Sequence, residues 1–461
     1  MLSSGVLPKI KNNIDYKEFN FNGKRLLFDV NNCRLFSISP LISDLLRVDK
    51  DNNRSRLRKA LCKKYGISEV KRAAKGFANF VKHDSDSHKN RTNASRRKIA
   101  RLDLEITSDC NLNCTYCFRN PKPAVKYMNK KIARAALDYL LENSDSEKVG
   151  IYFCGGEPLL NFPLIEYVVR YAQNKSKKYN KSVKFLLNTN GTLLSRKIVN
   201  FLDRHFSYIE LSLDGDKRIH DGQRPYKLDS RSLSSHKNAT KYLPLMLNLF
   251  KDRLHIIAVQ NPNNPQGLRI YRYFKKLKVM YIKFGLCVFS SSPEFCINKK
   301  NISKVLSDQR DLFKEYVKEM RSKNSIYIED YWTSIWLILF GGSLKLGCGA
   351  GRSIIAVSAK GEFFSCHRAV SDPAFKLGSL NKGIDRRKHS FYADRFCDTF
   401  IKCRECWVRT ICGGGCMWIN MHTEGKKEEA MDYYCQLLKL TIAQSIQLTK
   451  ELFTDKIGYM N

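Results

Sequence analysis

The sequence predicts an α/β protein in three parts: a partial (β/α) barrel of about six strands, a smaller α+β domain before it and a cysteine-rich domain after it. Three observations support this prediction. Over residues 101–325, short apolar strands alternate with amphipathic helices, which is typical of parallel βαβ units. Residues 1–83 show a strand-turn-strand pattern followed by helical stretches, and residues 326–461 contain closely spaced cysteines.

The N-terminal segment 1–83 contains FNGKRLLFDVNNCRLFSIS, two strand patterns around an Asn-Asn turn, followed by amphipathic stretches. Alternating apolar residues on both sides of turn residues are a hairpin signal. The strand-strand-helix-helix-helix order resembles the small winged-helix domain that binds leader peptides in ribosomal peptide-modifying systems, where the leader commonly adds a further strand. This resemblance implies a peptide-recognition domain, and the alternative is a helical decoration without a partner. Residues 84–100 are polar and are predicted to be a linker.

Within the barrel segment, polar or glycine residues follow the ends of the predicted strands. A short strand around Leu104 leads into TSDCNLNCTYCFRN, and the next strand ends in a Gly-Gly-Glu-Pro run. KFLLNTNGTLL, YIELSLDG, LHIIAVQNPNN and VMYIKFGLCVF supply the remaining four strands. Ligands of parallel α/β sheets gather at the carboxyl ends of the strands. The functional site is therefore expected at that end of the barrel.

Cys110, Cys114 and Cys117 have the spacing C-x3-C-x2-C, which places three thiolates on one short loop. Four-iron clusters normally take four cysteine thiolates, so three leave one iron open, as open metal sites do generally. The alternatives are a zinc knuckle or three buried structural cysteines. The cysteine loop and the strand ends that follow it, in this order, resemble the radical S-adenosylmethionine (SAM) enzymes, in which SAM chelates the fourth iron.

This resemblance implies a radical-SAM barrel with SAM and a [4Fe-4S] cluster as cofactors. In the family, the Gly-Gly-Glu-Pro segment holds the amino group of SAM, and two glycines also let a backbone approach a ligand closely. A serine and an arginine after the fourth strand contact the ribose and carboxylate, and an aromatic residue between the last two cysteines touches adenine. The SAM-binding residues implied here are Tyr116, Gly155, Gly156, Glu157, Pro158, Asn190, Ser212, Asp214 and Arg224.

A second cysteine pattern lies in residues 326–461, where CRECWVRTICGGGC has the spacing C-x2-C-x5-C-x3-C. Paired C-x2-C units commonly bind zinc, which is the alternative interpretation. The spacings and a set of seven cysteines resemble instead the SPASM extension of radical SAM enzymes, which holds two auxiliary clusters. The resemblance implies an outer auxiliary cluster on Cys403, Cys406, Cys412 and Cys435, and an inner auxiliary cluster on Cys348, Cys366 and Cys416.

Two departures from the family pattern concern the inner auxiliary cluster. Some relatives have a further cysteine shortly before the equivalent of Cys348, where this chain has GGSLKLG. The inner cluster is therefore expected either to keep an open iron for a substrate thiolate or to be completed from elsewhere in the chain.

His367 occupies the position at which sulfatase-maturing enzymes place an aspartate base. Histidine can act as a base near neutral pH, so His367 is the candidate catalytic residue, with a structural hydrogen bond as the alternative. The candidates for a fourth ligand are Cys287, Cys296 and Cys397.

The composition limits the compartment and the partners. The formal net charge is +37, and such a field attracts polyanions, either an acidic leader peptide or nucleic acid. Because the positive charge is spread along the chain, a solvated surface is the first interpretation, and nucleic acid is not expected. Sixteen cysteines without a secretory signal pattern argue for a reducing compartment, the cytoplasm. No apolar run is as long as a transmembrane helix, so no membrane association is expected.

The function that the resemblance implies is a radical SAM peptide maturase. The reduced cluster cleaves SAM to a 5′-deoxyadenosyl radical, which abstracts hydrogen from a ribosomally made peptide so that a thioether or another side-chain crosslink forms. The protein supplies positioning and exclusion of water. An electron donor such as flavodoxin or ferredoxin is an expected partner. The alternatives are sulfatase maturation, against which His367 in the aspartate position argues, and a non-enzymatic iron–sulfur sensor or nucleic-acid-binding regulator.

Overall fold

Two sheets organise the described residues: a four-stranded sheet built from both ends of the chain and an 11-stranded sheet that runs through the barrel into the cysteine-rich region. The computed structural model describes residues 16–50, 54–77, 99–119, 126–227, 233–290, 292–321, 326–344, 347–393, 395, 397, 400–424 and 432–460. The predicted linker 84–100 therefore lies outside the described residues except for its last two positions.

The N-terminal sheet has one more hairpin than the sequence predicts. Asn22 and Gly23 both have positive φ, 52° and 78°, so the first predicted strand is split by a tight turn. The predicted Asn-Asn hairpin is the second of the two. The antiparallel strands are β1 (Tyr16–Phe21), β2 (Lys24–Asp29) and β3 (Arg34–Ile38). The helices that follow are α1 (Pro40–Lys50), α2 (Arg54–Tyr65) and α3 (67–77).

The two faces of this sheet have different neighbours. One face packs on the N-terminal helices, around Leu27 and Ile38. The opposite face, with Phe28 and Leu35, packs on the C-terminal cysteine-rich region, around Val408. The last strand of the chain, Gly458–Met460, pairs in parallel with β3. The N-terminal segment is thus packed into the C-terminal part of the molecule.

The predicted partial barrel of six parallel strands is confirmed. Its strands are β4 (Arg101–Thr107), β5 (Lys148–Gly155), β6 (Ser182–Thr189), β7 (Phe206–Ser212), β8 (Leu254–Gln260) and β9 (Tyr281–Leu286). Its helices are α4 (Lys130–Asn143), α5 (Phe162–Lys178), α6 (Arg196–His205), α7 (Lys217–Gln223), α8 (Ser235–Thr240), α9 (Leu243–Phe250), α10 (Gly267–Lys276) and α11 (Ile302–Met320). Short 3-10 helices occupy Pro158–Asn161, Lys251–Arg253 and Pro293–Phe295.

Side chains on β4 explain how the barrel is held and why its interior is polar. Alternate residues of a strand face opposite sides of a sheet. Leu102, Leu104 and Ile106 are fully buried in the main hydrophobic core with the barrel helices. The intervening residues Asp103 and Glu105 are equally buried, at 0 % and 1 % exposure, on the opposite face. Two buried carboxylates on one strand require partners inside the barrel.

The C-terminal region extends the barrel sheet at both edges. β10 (Tyr327–Ile328) pairs in parallel with β9, and β11 (Ile354–Val357) pairs in parallel with β4. The sheet therefore continues across the predicted boundary at 325/326. β12 (Glu362–Phe364), β13 (Lys376–Ser379) and β14 (Gly383–Ile384) follow in antiparallel order.

The helices of this region are α12 (Glu329–Phe340), α13 (Arg386–Ala393), α14 (Ile401–Arg404), α15 (Arg409–Cys412), α16 (Met417–Glu424) and α17 (Asp432–Leu452), with the final strand β15 (Gly458–Met460). Further 3-10 helices span His367–Ala369, Pro373–Phe375 and Thr454–Lys456. Across the described part of the chain, none of the helices has the length and apolar character needed to cross a bilayer.

Candidate active site

A cavity of about 1130 Å³ occupies the interior of the barrel. Its wall includes all three cysteines of the loop after β4, and also His367, Arg368 and Trp418 from the C-terminal region. The predicted SAM-binding residues in the wall are Tyr116, Gly155, Gly156, Asn190, Ser212 and Arg224. The other three predicted residues do not line the cavity: Glu157, Pro158 and Asp214.

The cysteine loop fits a cluster that leaves one iron for an outside ligand. The three thiols face one cavity, and Asn190 Nδ2 donates to Cys110 Sγ at 3.8 Å. Burial raises the pKa of the Cys114 thiol to about 12, so its anionic form requires a bound cation. Among the described residues, no three His, Cys, Asp or Glu side chains converge as the ligands of one metal ion do.

Gly155 and Gly156 bring the end of β5 against the start of the cysteine loop. Gly155 has a φ of 135°, and a Cβ there would lie 2.0 Å from the carbonyl oxygen of Thr107. A Cβ on Gly156 would lie 1.9 Å from the carbonyl oxygen of Asp109. Backbone hydrogen bonds of 2.7 and 2.8 Å join the two segments. Glycine is thus required here by a close approach of two backbones, in addition to any ligand in the cavity.

The Glu157 carboxylate ties together the ends of β5 and β6. It accepts hydrogen bonds from Thr189 Oγ1 and the Asn190 backbone N–H, both at 2.7 Å, and from the Leu159 N–H at 3.1 Å. The residue is 1 % exposed, and burial raises its pKa to about 7 against the effect of these donors. This carboxylate orders the strand ends that form the cavity wall.

Tyr116, Asp214 and Arg224 form a buried network at the carboxyl end of the barrel. Arg224 makes a bidentate ion pair with Asp214 at 2.9 and 3.1 Å. The Tyr116 hydroxyl donates to the same carboxylate at 2.5 Å, and the guanidinium lies 5.3 Å from the centre of the Tyr116 ring. Asp214 is fully buried. It therefore fixes both cavity-lining side chains, one predicted to face adenine and the other the SAM carboxylate.

His367 faces the cavity and is held by a buried acid. Its Nδ1 lies 3.0 Å from Asp103 Oδ2, and Arg101 Nε donates to the same carboxylate at 2.8 Å. Arg119 Nη2 donates to the His367 carbonyl at 2.9 Å. The ring centroids of His367 and Tyr152 are 5.5 Å apart. If Nδ1 carries the proton shared with Asp103, Nε2 is the acceptor on the cavity side.

Sequence reasoning missed a second polar group in the barrel wall, centred on Glu210. Its carboxylate accepts from the hydroxyls of Tyr152 and Tyr208, at 2.5 and 3.2 Å. Lys283 Nζ lies 3.9 Å away, and all four side chains line the cavity. The signal was present in YIELS, where polar and apolar residues alternate along β7. Such alternation inside a strand that is buried on both faces indicates a polar interior.

The three inner cysteines lie close to one another. Burial raises the pKa of Cys366 to about 12, and the neighbouring thiols of Cys416 and Cys348 act in the same direction. Of the candidates for a fourth ligand, Cys287 is hydrogen-bonded to Cys296, which raises the pKa of Cys287. Cys397 is fully buried. Cys287 and Cys296 are therefore direct neighbours of each other.

The four outer cysteines line a single pocket of about 280 Å³ between α14, α15 and α17. Burial raises the pKa of Cys412 to about 12, so this donor set also suits a metal cluster that stabilises thiolates. The three glycines between Cys412 and Cys416 all have positive φ, 67°, 84° and 74°. This left-handed run links the outer group to the inner group, and it explains the CGGGC sequence.

Comparison with known proteins agrees with this geometry. The family model of the radical SAM superfamily matches residues 104–257. A cysteine-type anaerobic sulfatase-maturating enzyme of Clostridium perfringens is 26% identical over 363 residues, covering 74% of this chain and 94% of the relative. The radical SAM cyclopropyl synthase TigE of Paramaledivibacter caminithermalis is 23% identical over 385 residues, covering 77% of this chain and 76% of the relative.

Two solved structures share the fold. Native anSMEcpe with bound AdoMet and the Kp18Cys peptide has a TM-score of 0.65 at 22% identity, covering 77% of this chain and 99% of that one. Streptococcus suis SuiB bound to the precursor peptide SuiA has a TM-score of 0.52 at 16% identity, covering 92% of this chain and 98% of that one.

The fold, the cysteine loop and the matched family define a radical SAM enzyme. Residues 104–257 form the radical SAM domain, and the chain shares the fold of anSMEcpe. The relative anSMEcpe was solved with bound AdoMet, and the cysteine groups of this chain are suited to hold thiolate-ligated clusters. This finding removes the non-enzymatic sensor from the alternatives.

Proposed function

We propose that this enzyme is a peptide maturase that installs a thioether or another side-chain crosslink in a ribosomally made peptide. One observation carries the proposal. A single cavity of about 1130 Å³ is lined both by the SAM-cluster cysteines and by His367, which directly follows the inner-cluster cysteine Cys366. A peptide side chain in this cavity would lie against the proposed SAM site and beside the segment that carries Cys366. The structures of anSMEcpe with the Kp18Cys peptide and of SuiB with a precursor peptide share the fold and support a peptide substrate.

When bound, SAM and the cluster would together supply a radical that can abstract a hydrogen atom from the substrate. The chain's own residues bind and orient. In this proposal Arg224, held by Asp214, receives the SAM carboxylate, and Tyr116 packs against the adenine. Gly155 and Gly156 form the backbone surface for the methionine amino group. The barrel wall around these groups excludes water, which protects a reactive intermediate.

We further propose that His367 accepts a proton from the substrate during crosslinking. Its Nδ1 is directed at the buried Asp103 carboxylate at 3.0 Å, which leaves Nε2 for the cavity. A base held in one orientation by a buried acid is the usual arrangement for a catalytic imidazole. Asp103 acts through His367 and is therefore a positioning residue.

The inner cluster is proposed to keep an open iron for a substrate thiolate. Two of the three cysteines that could complete it, Cys287 and Cys296, interact with each other. Cys348, in contrast, is exposed, so the inner site is accessible from outside. A cysteine of the peptide would supply the missing ligand, and it would thereby be placed for carbon–sulfur bond formation.

The N-terminal domain, residues 1–83, is proposed to bind the leader of the peptide. A strand added to an exposed sheet edge gains main-chain hydrogen bonds. β3 already pairs with the C-terminal strand, so β1 is the edge that no described strand covers. Lys17 is exposed on β1, and basic side chains continue through α2. These charges suit an acidic leader.

Sulfatase maturation is the second candidate, because the sulfatase-maturating relative is covered over 94% of its length. The two candidates predict different products. A crosslinked peptide loses two hydrogens and contains no aldehyde, whereas formylglycine carries an aldehyde that reacts with a hydrazide.

The test is an anaerobic incubation of the iron-loaded full chain with SAM, dithionite and the small-peptide fraction of a lysate of its host, followed by mass spectrometry. We expect one cysteine-containing peptide to lose two hydrogens and to have one thiol fewer available for alkylation. Cys110→Ser should abolish this change, and Asp311→Asn, which alters an exposed side chain of α11, should not. Cleavage of SAM without any modified peptide would contradict the proposal, and a hydrazide-reactive product would favour the second candidate.

A further inference from the structure

Arg395 is a buried arginine between the two auxiliary cysteine groups. The residue is 9 % exposed. Its Nη2 lies 3.5 Å from the carbonyl oxygen of Gly414, and the guanidinium carbon lies 4.8 Å from the centre of the Phe400 ring. A Cβ placed on Gly347 would be 3.5 Å from Nη1. The guanidinium thus touches the segment before Cys348 on one side and the glycine run after Cys412 on the other.

The described residues give this guanidinium no carboxylate partner. Its Nε is buried and makes no hydrogen bond. An unpaired buried charge is costly, because the desolvation of the cation is not repaid by a nearby anion. Arg395 therefore requires negative charge that the described residues around it do not provide.

Cysteine thiols are the ionisable groups that act most strongly on Arg395. Burial lowers the pKa of Arg395, and the thiols that oppose this effect are Cys348 and Cys416 of the inner group and Cys403 and Cys412 of the outer group. Thiolate-ligated clusters are anionic and gain further negative charge on reduction, and net charge together with hydrogen bonds sets their potential. A bound cluster on either side would supply the charge that Arg395 lacks.

We propose that Arg395 is a positioning residue shared by the two auxiliary clusters, whose buried positive charge stabilises their reduced forms. A single guanidinium between two anionic clusters also couples their reduction potentials. When one cluster is reduced, its added negative charge offsets part of the stabilisation that the guanidinium gives to the other. The inference concerns the cofactors alone, so it does not depend on the identity of the substrate.

The test measures the reduction potentials of the auxiliary clusters in the full chain. Cys110, Cys114 and Cys117 are replaced by alanine to silence the SAM-cluster signal, and the remaining clusters are titrated with reductant and followed by electron paramagnetic resonance and iron content. The variants are Arg395→Met, which removes the charge at similar volume, and Arg395→Lys, which keeps it. Arg404→Met is the matched control, because Arg404 is also beside Cys403 but is exposed to water, which screens its charge.

We expect Arg395→Met to retain auxiliary iron and to lower the reduced-to-oxidised ratio at fixed potential by about tenfold in at least one cluster, equivalent to about 59 mV. Arg395→Lys should restore most of that ratio, and Arg404→Met should change it by less than about twofold. If Arg395→Met loses auxiliary iron, retention of iron and potential by Arg395→Lys still supports a role for the charge. Unchanged potentials in Arg395→Met, or equal loss in Arg395→Met and Arg395→Lys, would overturn the inference.

Discussion

The hydroxyl of Thr410 donates a 2.5 Å hydrogen bond to the carbonyl oxygen of Val30. Thr410 lies between Cys406 and Cys412 of the outer group, and Val30 begins the turn between β2 and β3. Arg409 Nη2 adds a second bond, of 2.8 Å, to Asn31 Oδ1. The domain proposed to bind the leader is therefore directly joined to the loop proposed to hold the outer cluster.

Removing this link should loosen the N-terminal hairpin. Thr410→Val keeps the shape and removes the donor, which leaves a buried carbonyl unpaired at a cost of about 1–3 kcal/mol. We expect amide hydrogen exchange in residues 24–38 to become about tenfold faster or more. Thr441→Val is the control, since Thr441 donates to Leu437 O at 3.1 Å within α17. Equal amide exchange rates of residues 24–38 in both variants would show that the Thr410–Val30 hydrogen bond does not stabilise the hairpin.

The same contact affects how the leader-binding proposal is tested. Deletion of residues 1–83 would also remove part of the core around Val408, so a loss of turnover would not distinguish peptide binding from loss of the outer cluster. Point substitutions at Lys17 and Asn20, which are exposed on β1 and do not belong to that core, are the better variants.

The Asp214–Arg224 pair should be required for folding and for SAM binding. Asp214→Asn leaves the guanidinium buried without its countercharge, which costs about 3–5 kcal/mol. We expect a lower unfolding midpoint and weaker SAM binding by isothermal calorimetry. Asp311→Asn breaks the exposed 3.0 Å pair with Lys314 and should change stability by about 0–1 kcal/mol. A variant at Asp214 as stable as this control would refute the prediction.

Glu157 should make the SAM-free protein less stable as pH rises. Burial raises its folded-state pKa from 4.5 to about 7. A raised pKa means that the folded state holds its proton more tightly than the unfolded state. The resulting stability is fully present below pH 4.5 and is lost as pH rises through about 7. The expected loss is about 3 kcal/mol.

Denaturant unfolding of wild type and Glu157→Gln across this pH window measures the effect. The substitution lowers stability overall, because the amide meets three donors where it can accept only in part. Only the slope against pH tests the prediction. A wild-type slope equal to that of Glu157→Gln would mean that the carboxylate is ionised throughout.

His367 should be needed for the product and dispensable for cleavage of SAM. We expect His367→Gln to lower crosslinked product by about 10²–10⁴-fold, the usual contribution of a general base, while 5′-deoxyadenosine still forms. Asp103→Asn should lower product in the same way and by a smaller factor. His389→Gln, altering a histidine that contacts the Arg352 carbonyl at 3.3 Å, is the control. Loss of 5′-deoxyadenosine together with product in His367→Gln would indicate a structural role.

The parts of the candidate site that could be predicted are those whose residues lie close together in the sequence. The spacing of Cys110, Cys114 and Cys117 places three thiols on one loop whatever surrounds it. The two glycines after β5 predicted a close backbone approach to a ligand, and the structure shows that Gly156 also approaches the backbone carbonyl of Asp109. The polar interior was harder to find, because Glu210 and Tyr152 are far apart in sequence and meet only when β5 and β7 share one barrel.

The sequence by itself determined the alternation of strands and helices, the three cysteine groups and the order of the strand-end residues, because each depends on periodicity or on short spacing. Only the tertiary structure decided which of these residues share a wall, that Glu157 and Asp214 act from behind the cavity, and that Arg395 lies between two thiol groups. It also decided that both ends of the chain form one sheet, through β15 and β3. These contacts arise from packing between segments that are distant in the chain. A local sequence pattern shows that a face is apolar, but it does not specify which other face will pack against it.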